Sequence, residues 1–193
     1  MKPVPFSGSW TLTVVPHQHY LAAVRESGEI VSSAALPPSG SSLDGTVTVP
    51  ATVPGNFELD LHRAGLLPDP YFGTNILSLR ALEDRHLFYA TTFPCASPGR
   101  GAERRSIRFH GLDTFADIVV NGVRIGRADN ALIEHAFEIP ADVLRLDDNE
   151  LFVHIRPTMV EAQREGLLLP PSALTYKYNF ASLAVRKAPS SFG

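Results

Sequence analysis

Short runs of alternating apolar and polar residues, punctuated by proline, glycine and asparagine, fill most of the chain. Residues 10–15 (Trp10-Thr11-Leu12-Thr13-Val14-Val15) alternate threonine with large apolar side chains and stop at Pro16, which predicts a strand. Residues 47–49 and 86–93 read the same way. Residues 105–110 alternate with period 2 up to Gly111. The runs 115–120 and 123–126 flank Asn121-Gly122, a pair that accepts the positive φ angles of a type I′ turn, and so predict a hairpin. Residues 135–139 and 150–156 add two strands, the second after the turn Asp147-Asp148-Asn149. Alternation places Trp10, Ile107, Phe109, Ile118, Val120, Phe137 and Ile155 inside.

The intervening segments are less regular. Residues 25–45 are rich in serine, glycine and proline and read as a surface excursion with a short strand near Ile30. Asn56 is placed to cap a helix over 57–63 that partly buries Leu59 and Leu61 and ends at Gly65. Two prolines and a glycine exclude regular structure from 68–75. Residues 95–105 read as a polar hairpin loop. Thr158 and Glu161 stand at capping-box spacing for a short helix through Arg164, and 166–193 reads as an irregular tail. Roughly eight antiparallel strands with one or two short helices, and no βαβ rhythm, make an all-β sandwich or jelly roll. There is no phosphate loop.

Composition narrows the function classes. The 193 residues include 17 Lys and Arg against 20 Asp and Glu, a net charge of −3. This argues against a general binder of nucleic acid or anionic membranes, which needs clustered cations. Apolar stretches fall far short of the ~20 residues of a membrane helix. The N-terminus lacks the apolar segment of a signal peptide, so a cytoplasmic location is the expectation. A single cysteine, Cys95, excludes an intrachain disulfide and any multi-cysteine metal site.

Few residues present catalytic chemistry by themselves. His17 and His19 would share a face if the first strand ran past Pro16, but no further metal ligand is nearby, so both read as surface histidines. Cys95 has no positive neighbour to activate it. There is no G-x-S-x-G, and Ser39-Gly40-Ser41-Ser42 reads as a loop. Asp113, Asp117, Asp129, Asp142, Asp147 and Asp148 read as turn-forming or solvated carboxylates.

Three stretches carry a family resemblance. The first is Ala51-Thr52-Val53-Pro54-Gly55, followed by Leu59-Asp60-Leu61 and by Ala64-Gly65-Leu66-Leu67-Pro68-Asp69-Pro70-Tyr71-Phe72-Gly73-Thr74-Asn75. The second runs from Phe109-His110-Gly111-Leu112-Asp113-Thr114-Phe115-Ala116 through Val120-Asn121-Gly122 to Gly126 and Asp129-Asn130. The third is Arg186-Lys187-Ala188 with Ser191-Phe192-Gly193. In this order they resemble the N-terminal sugar-binding domain of glycoside hydrolase family two, and within it the β-mannosidase branch. Two positions depart from that branch: Pro189 stands where glutamine is usual, and Ala131 where methionine is frequent.

The resemblance implies a galactose-binding-like jelly roll, in agreement with the strand count. It implies one sugar-binding domain over 1–193, cut from a larger enzyme. Immunoglobulin-like and TIM-barrel domains would follow it, with a terminal β-linked sugar as ligand. Family members are retaining glycosidases with two glutamates on the barrel, ~5–5.5 Å apart. No catalytic residue, metal or cofactor is therefore expected in this chain, and its role would be to complete the sugar pocket from outside. By matching to the family's loop, Asn75 is the first candidate for substrate contact and Asp69 the second, with Tyr71 as a stacking ring. Asn121 reads as structural. The alternatives are the same domain of a β-galactosidase, β-glucuronidase or exo-β-glucosaminidase, or a stand-alone lectin-like module.

Overall fold

The computed structural model describes Phe6, residues 8–95 and residues 105–166. Among these, eight strands form two antiparallel sheets: β1 (Trp10–Pro16), β2 (Val47–Ala51), β3 (Arg85–Phe93), β4 (Arg105–Phe109), β5 (Phe115–Val120), β6 (Val123–Ala128), β7 (His135–Ile139) and β8 (Asn149–Arg156). Six pair in the order β2-β1-β3-β8-β5-β6, and β4 pairs with β7. The β5–β6 turn is the expected two-residue type, with Val120 opposite Val123 and φ of 49° at Asn121 and 81° at Gly122.

Both faces of the large sheet are covered. On the front face, Ile118, Val120, Leu151 and Val153 pack with Ile107 of β4 and Ile139 of β7. Leu12, Val14, Val47, Val49 and Leu87 extend this layer toward Leu61 and Leu82, and Tyr89 and Ile155 join the two halves. All seven interior residues expected from alternation lie in or against the front-face core. The ring of Phe137 sits on Gly126, where a Cβ would stand 2.0 Å from its Cδ1. On the back face Val15, Phe88, Val119 and Phe152 pack with Ile30 and with Tyr20, Ala23 and Val24 of a helix. Every residue of β5 is consequently buried, Asp117 included.

That helix, α1 (His17–Ser27), was not expected from the sequence, and the described residues hold three α-helices against the one or two short helices expected. Pro16 ends the strand, and Tyr20, Ala23 and Val24 form a helical stripe at spacing i, i+3, i+4. The strand near Ile30 is absent. Ile30 is buried, but it leads into a 3-10 turn, Ser33–Ala35.

α2 (Phe57–Arg63) forms as expected, with the Asn56 side chain accepting from the N–H groups of Glu58 and Leu59 at 3.0 and 3.3 Å. α3 (Thr158–Gly166) begins one residue earlier than the capping box requires. Thr158 is its first residue, and the Pro157 carbonyl accepts from Val160 and Glu161. The expected tail beyond Gly166 and most of the expected 95–105 loop lie outside the described residues.

Candidate functional site

The segment carrying Asp69, Tyr71 and Asn75 links α2 to β3 and is held at both ends. Leu66 and Leu67 on one side, and Leu79 and buried Leu82 on the other, pack into the front-face core. His62 Nδ1 donates to the Leu67 carbonyl at 3.0 Å, and Pro70 is buried at the base. A 3-10 helix, Asn75–Leu82, which sequence periodicity did not reveal, leads into β3.

Internal hydrogen bonds shape the loop between these anchors. Asp69 Oδ1 accepts from the Tyr71 N–H at 2.9 Å. Asn75 Nδ2 donates to the Asp69 carbonyl at 2.8 Å, and the Asn75 N–H to the Phe72 carbonyl at 3.2 Å. The three candidates are thus brought together in one turn. An amide has a second N–H and a carbonyl oxygen, and a carboxylate a second oxygen, so Asn75 and Asp69 keep capacity beyond these bonds. Tyr71 is 78% and Phe72 75% exposed, followed by exposed Ile76 and Leu77. Four large apolar side chains stand in water on one short, anchored loop.

The loop's support begins in α2. Asp60, buried at 2% exposure, accepts from the Thr52 N–H at 3.2 Å and from Arg63 Nη1 at 2.6 Å, and Arg63 also donates to Thr52 Oγ1. This fixes the β2–α2 connection. Asn121 is structural as expected. It donates to the Val143 carbonyl and to Asn149 Oδ1, and accepts from the Glu150 N–H.

A second polar cluster lies on the back face. Nδ1 of His17 is 2.9 Å from Nε2 of His86, and Nδ1 of His86 is 2.8 Å from Nε2 of His154. The Tyr20 ring stacks on His86 with centroids 3.8 Å apart. Burial lowers His86 to about 2 and His154 to about 3, so both rings are neutral. Asp117, the register partner of His154, is buried and pairs with Arg127 at 2.7 Å and Arg156 at 3.6 Å. His17 and Asp117 are therefore not the solvated groups expected: His17 starts a helix that turns it inward, and covering the back face buries Asp117. His19 is exposed and Asp148 adopts φ of 55° in a turn, both in line with the sequence reading. Among the described residues no group of three or more His, Cys, Asp or Glu is placed to hold a metal ion, and no helix is long and apolar enough to cross a membrane.

An antiparallel six-stranded sheet with a smaller sheet on its front face is the architecture of galactose-binding-like sandwich domains. Residues 34–193 match the family described as glycosyl hydrolase 2 galactose-binding domain-like, and the chain belongs to that family. It is 36% identical over 145 residues to beta-mannosidase B of Thermothelomyces thermophilus, covering 72% of this chain and 16% of that protein. It is 32% identical over 153 residues to the beta-mannosidase of Mus musculus, covering 76% and 17%. The crystal structure of a beta-D-mannosidase from Dictyoglomus thermophilum superposes with a TM-score of 0.66 at 25% identity, over 88% of this chain and 17% of that one. The chain thus spans only 16–17% of the length of these relatives.

Proposed function

We propose that this chain is the non-catalytic sugar-binding domain of a retaining exo-glycosidase acting on terminal β-D-mannosides, and that its 69–77 loop completes the sugar pocket of a catalytic barrel elsewhere in the same protein. The observation that carries this reading is the loop itself. Both its stems are anchored in the front-face core, it joins Asn75 to Asp69, and it holds Tyr71 and Phe72 out in water. A neutral sugar offers hydroxyls to an amide and a carboxylate, and a C–H face to a ring. The β-mannosidase relatives support the mannoside. Ile76 and Leu77 supply apolar surface for an adjoining immunoglobulin-like or barrel domain.

In the full-length protein, Asn75→Ala is expected to lower kcat/KM for an aryl β-mannoside by about 5- to 150-fold, the effect of losing about 1–3 kcal/mol of hydrogen bonding to substrate. Because that amide also ties the loop, Tyr71→Ala serves as the companion variant: it removes only an exposed ring and should raise KM. Both should melt like the parent. Unchanged kinetics in both variants would remove the loop from the sugar site.

A further inference from the structure

We propose that the row of His17, His86 and His154 is an acid-sensitive latch, which holds α1 on the back face of the large sheet at neutral pH and releases it in acid. The row joins three elements: His17 is the first residue of α1, His86 lies on β3 and His154 on β8. His86 and His154 are 3% and 5% exposed, whereas His17 at the helix end is half-buried.

The latch follows from counting protons. The two ring-to-ring contacts, at 2.9 and 2.8 Å, involve four facing nitrogens. Each contact holds one proton, since one nitrogen donates and the other accepts. The outer nitrogens of His17 and His154 can carry one proton each. The intact row therefore accommodates four protons, one more than three neutral imidazoles possess. That extra proton fits on an outer nitrogen with both contacts intact. A fifth proton forces two N–H groups to face each other at one contact, which opens it.

The surroundings leave the inner rings without a free counter-charge. From α1, Tyr20 presents its ring face to His86. On β8, Arg156 lies close enough to oppose a proton on either inner ring. Asp117 of β5 favours a proton on His154, but it is shared between Arg156 and Arg127 of β6. Glu161 of α3 pairs with Arg156 at 3.5 Å, and Glu29, after α1, pairs with Arg124. Acid therefore favours the arrangement in which α1 lifts and water reaches His86 and His154. Lifting α1 also uncovers Val15, Phe88 and Phe152.

Hydrogen exchange on the full-length protein, corrected for intrinsic rates, tests the latch between pH 7 and 5. Amides of α1 should exchange faster than those of β8, and the α1 opening constant should rise at least about tenfold from pH 6.5 to 5. Exchange of α1 at the β8 rate throughout, or α1 protection that does not change with pH, overturns the proposal. The slow exchange of each imidazole C2 hydrogen, read by mass spectrometry, reports ring ionisation in the same samples. His86 and His154 should stay neutral while α1 is protected and gain protons as it opens. Either ring charged beneath a protected α1 overturns the latch.

Discussion

Replacing Asn149 with alanine is expected to destabilise the fold by about 3–5 kcal/mol, a large share of the about 5–15 kcal/mol that holds a domain together. The side chain has no exposed surface, and its full hydrogen-bonding capacity is used. Its Oδ1 accepts from Asn121 Nδ2 and from the Arg145 N–H, both at 2.8 Å. Its Nδ2 donates to the carbonyls of Arg145 at 2.8 Å and Phe93 at 3.2 Å. One amide thus ties the end of β3, the loop before β8 and the β5–β6 turn. Alanine leaves these groups without their partner in a dry interior, at about 1–3 kcal/mol for each that stays unpaired, and opens a small cavity. Urea unfolding should show a lower midpoint with an unchanged slope. A shift under about 1 kcal/mol would mean that water replaces the amide.

Acid should destabilise the domain through the same buried histidines. The folded state holds His86 and His154 at about 2 and 3, against about 6.5 when unfolded. Between those limits the unfolded chain binds more protons, so stability is whole above pH 6.5 and is lost as pH falls. Each group contributes up to about 1.4 kcal/mol per pH unit, reached once the unfolded ring is fully protonated, hence about 3 kcal/mol for the two between pH 6.5 and 5. If α1 opens within that range, the decline levels off, because the open native state then binds the same protons. Denaturant midpoints across the range measure the slope. A flat profile from pH 7 to 5 would show that these rings are hydrated in the native protein.

The strands were legible because alternation and turn chemistry agree. Asn121-Gly122 between apolar runs, and Asn56 before α2, each announce a local geometry that the structure adopts. α1 was not legible. Its three inward residues, Tyr20, Ala23 and Val24, make a narrow stripe that follows Pro16 and two histidines with the reading of surface residues. The histidine row was hidden for a related reason: His86 and His154 are 68 residues apart and meet only because β3 and β8 pair, while the helix turns His17 onto them. The site loop is a third case. Two prolines and a glycine identified it as irregular, and the family resemblance, not periodicity, singled out Asn75, Asp69 and Tyr71 within it. Their mutual bonds depend on where α2 and the 3-10 helix anchor the stems, which residue spacing alone does not specify.

The central claim is that this is the sugar-binding part of a β-mannoside hydrolase and does no chemistry alone. Measuring kcat/KM of the full-length protein on aryl β-mannoside, β-galactoside, β-glucuronide and β-glucosaminide, with the 193-residue chain assayed in parallel, tests it most directly. The account predicts that the mannoside is preferred by at least about tenfold, the scale on which a built sugar site discriminates, and that the chain alone turns over none of the four. A preference for another glycoside, or hydrolysis by the 193-residue chain itself, would contradict it.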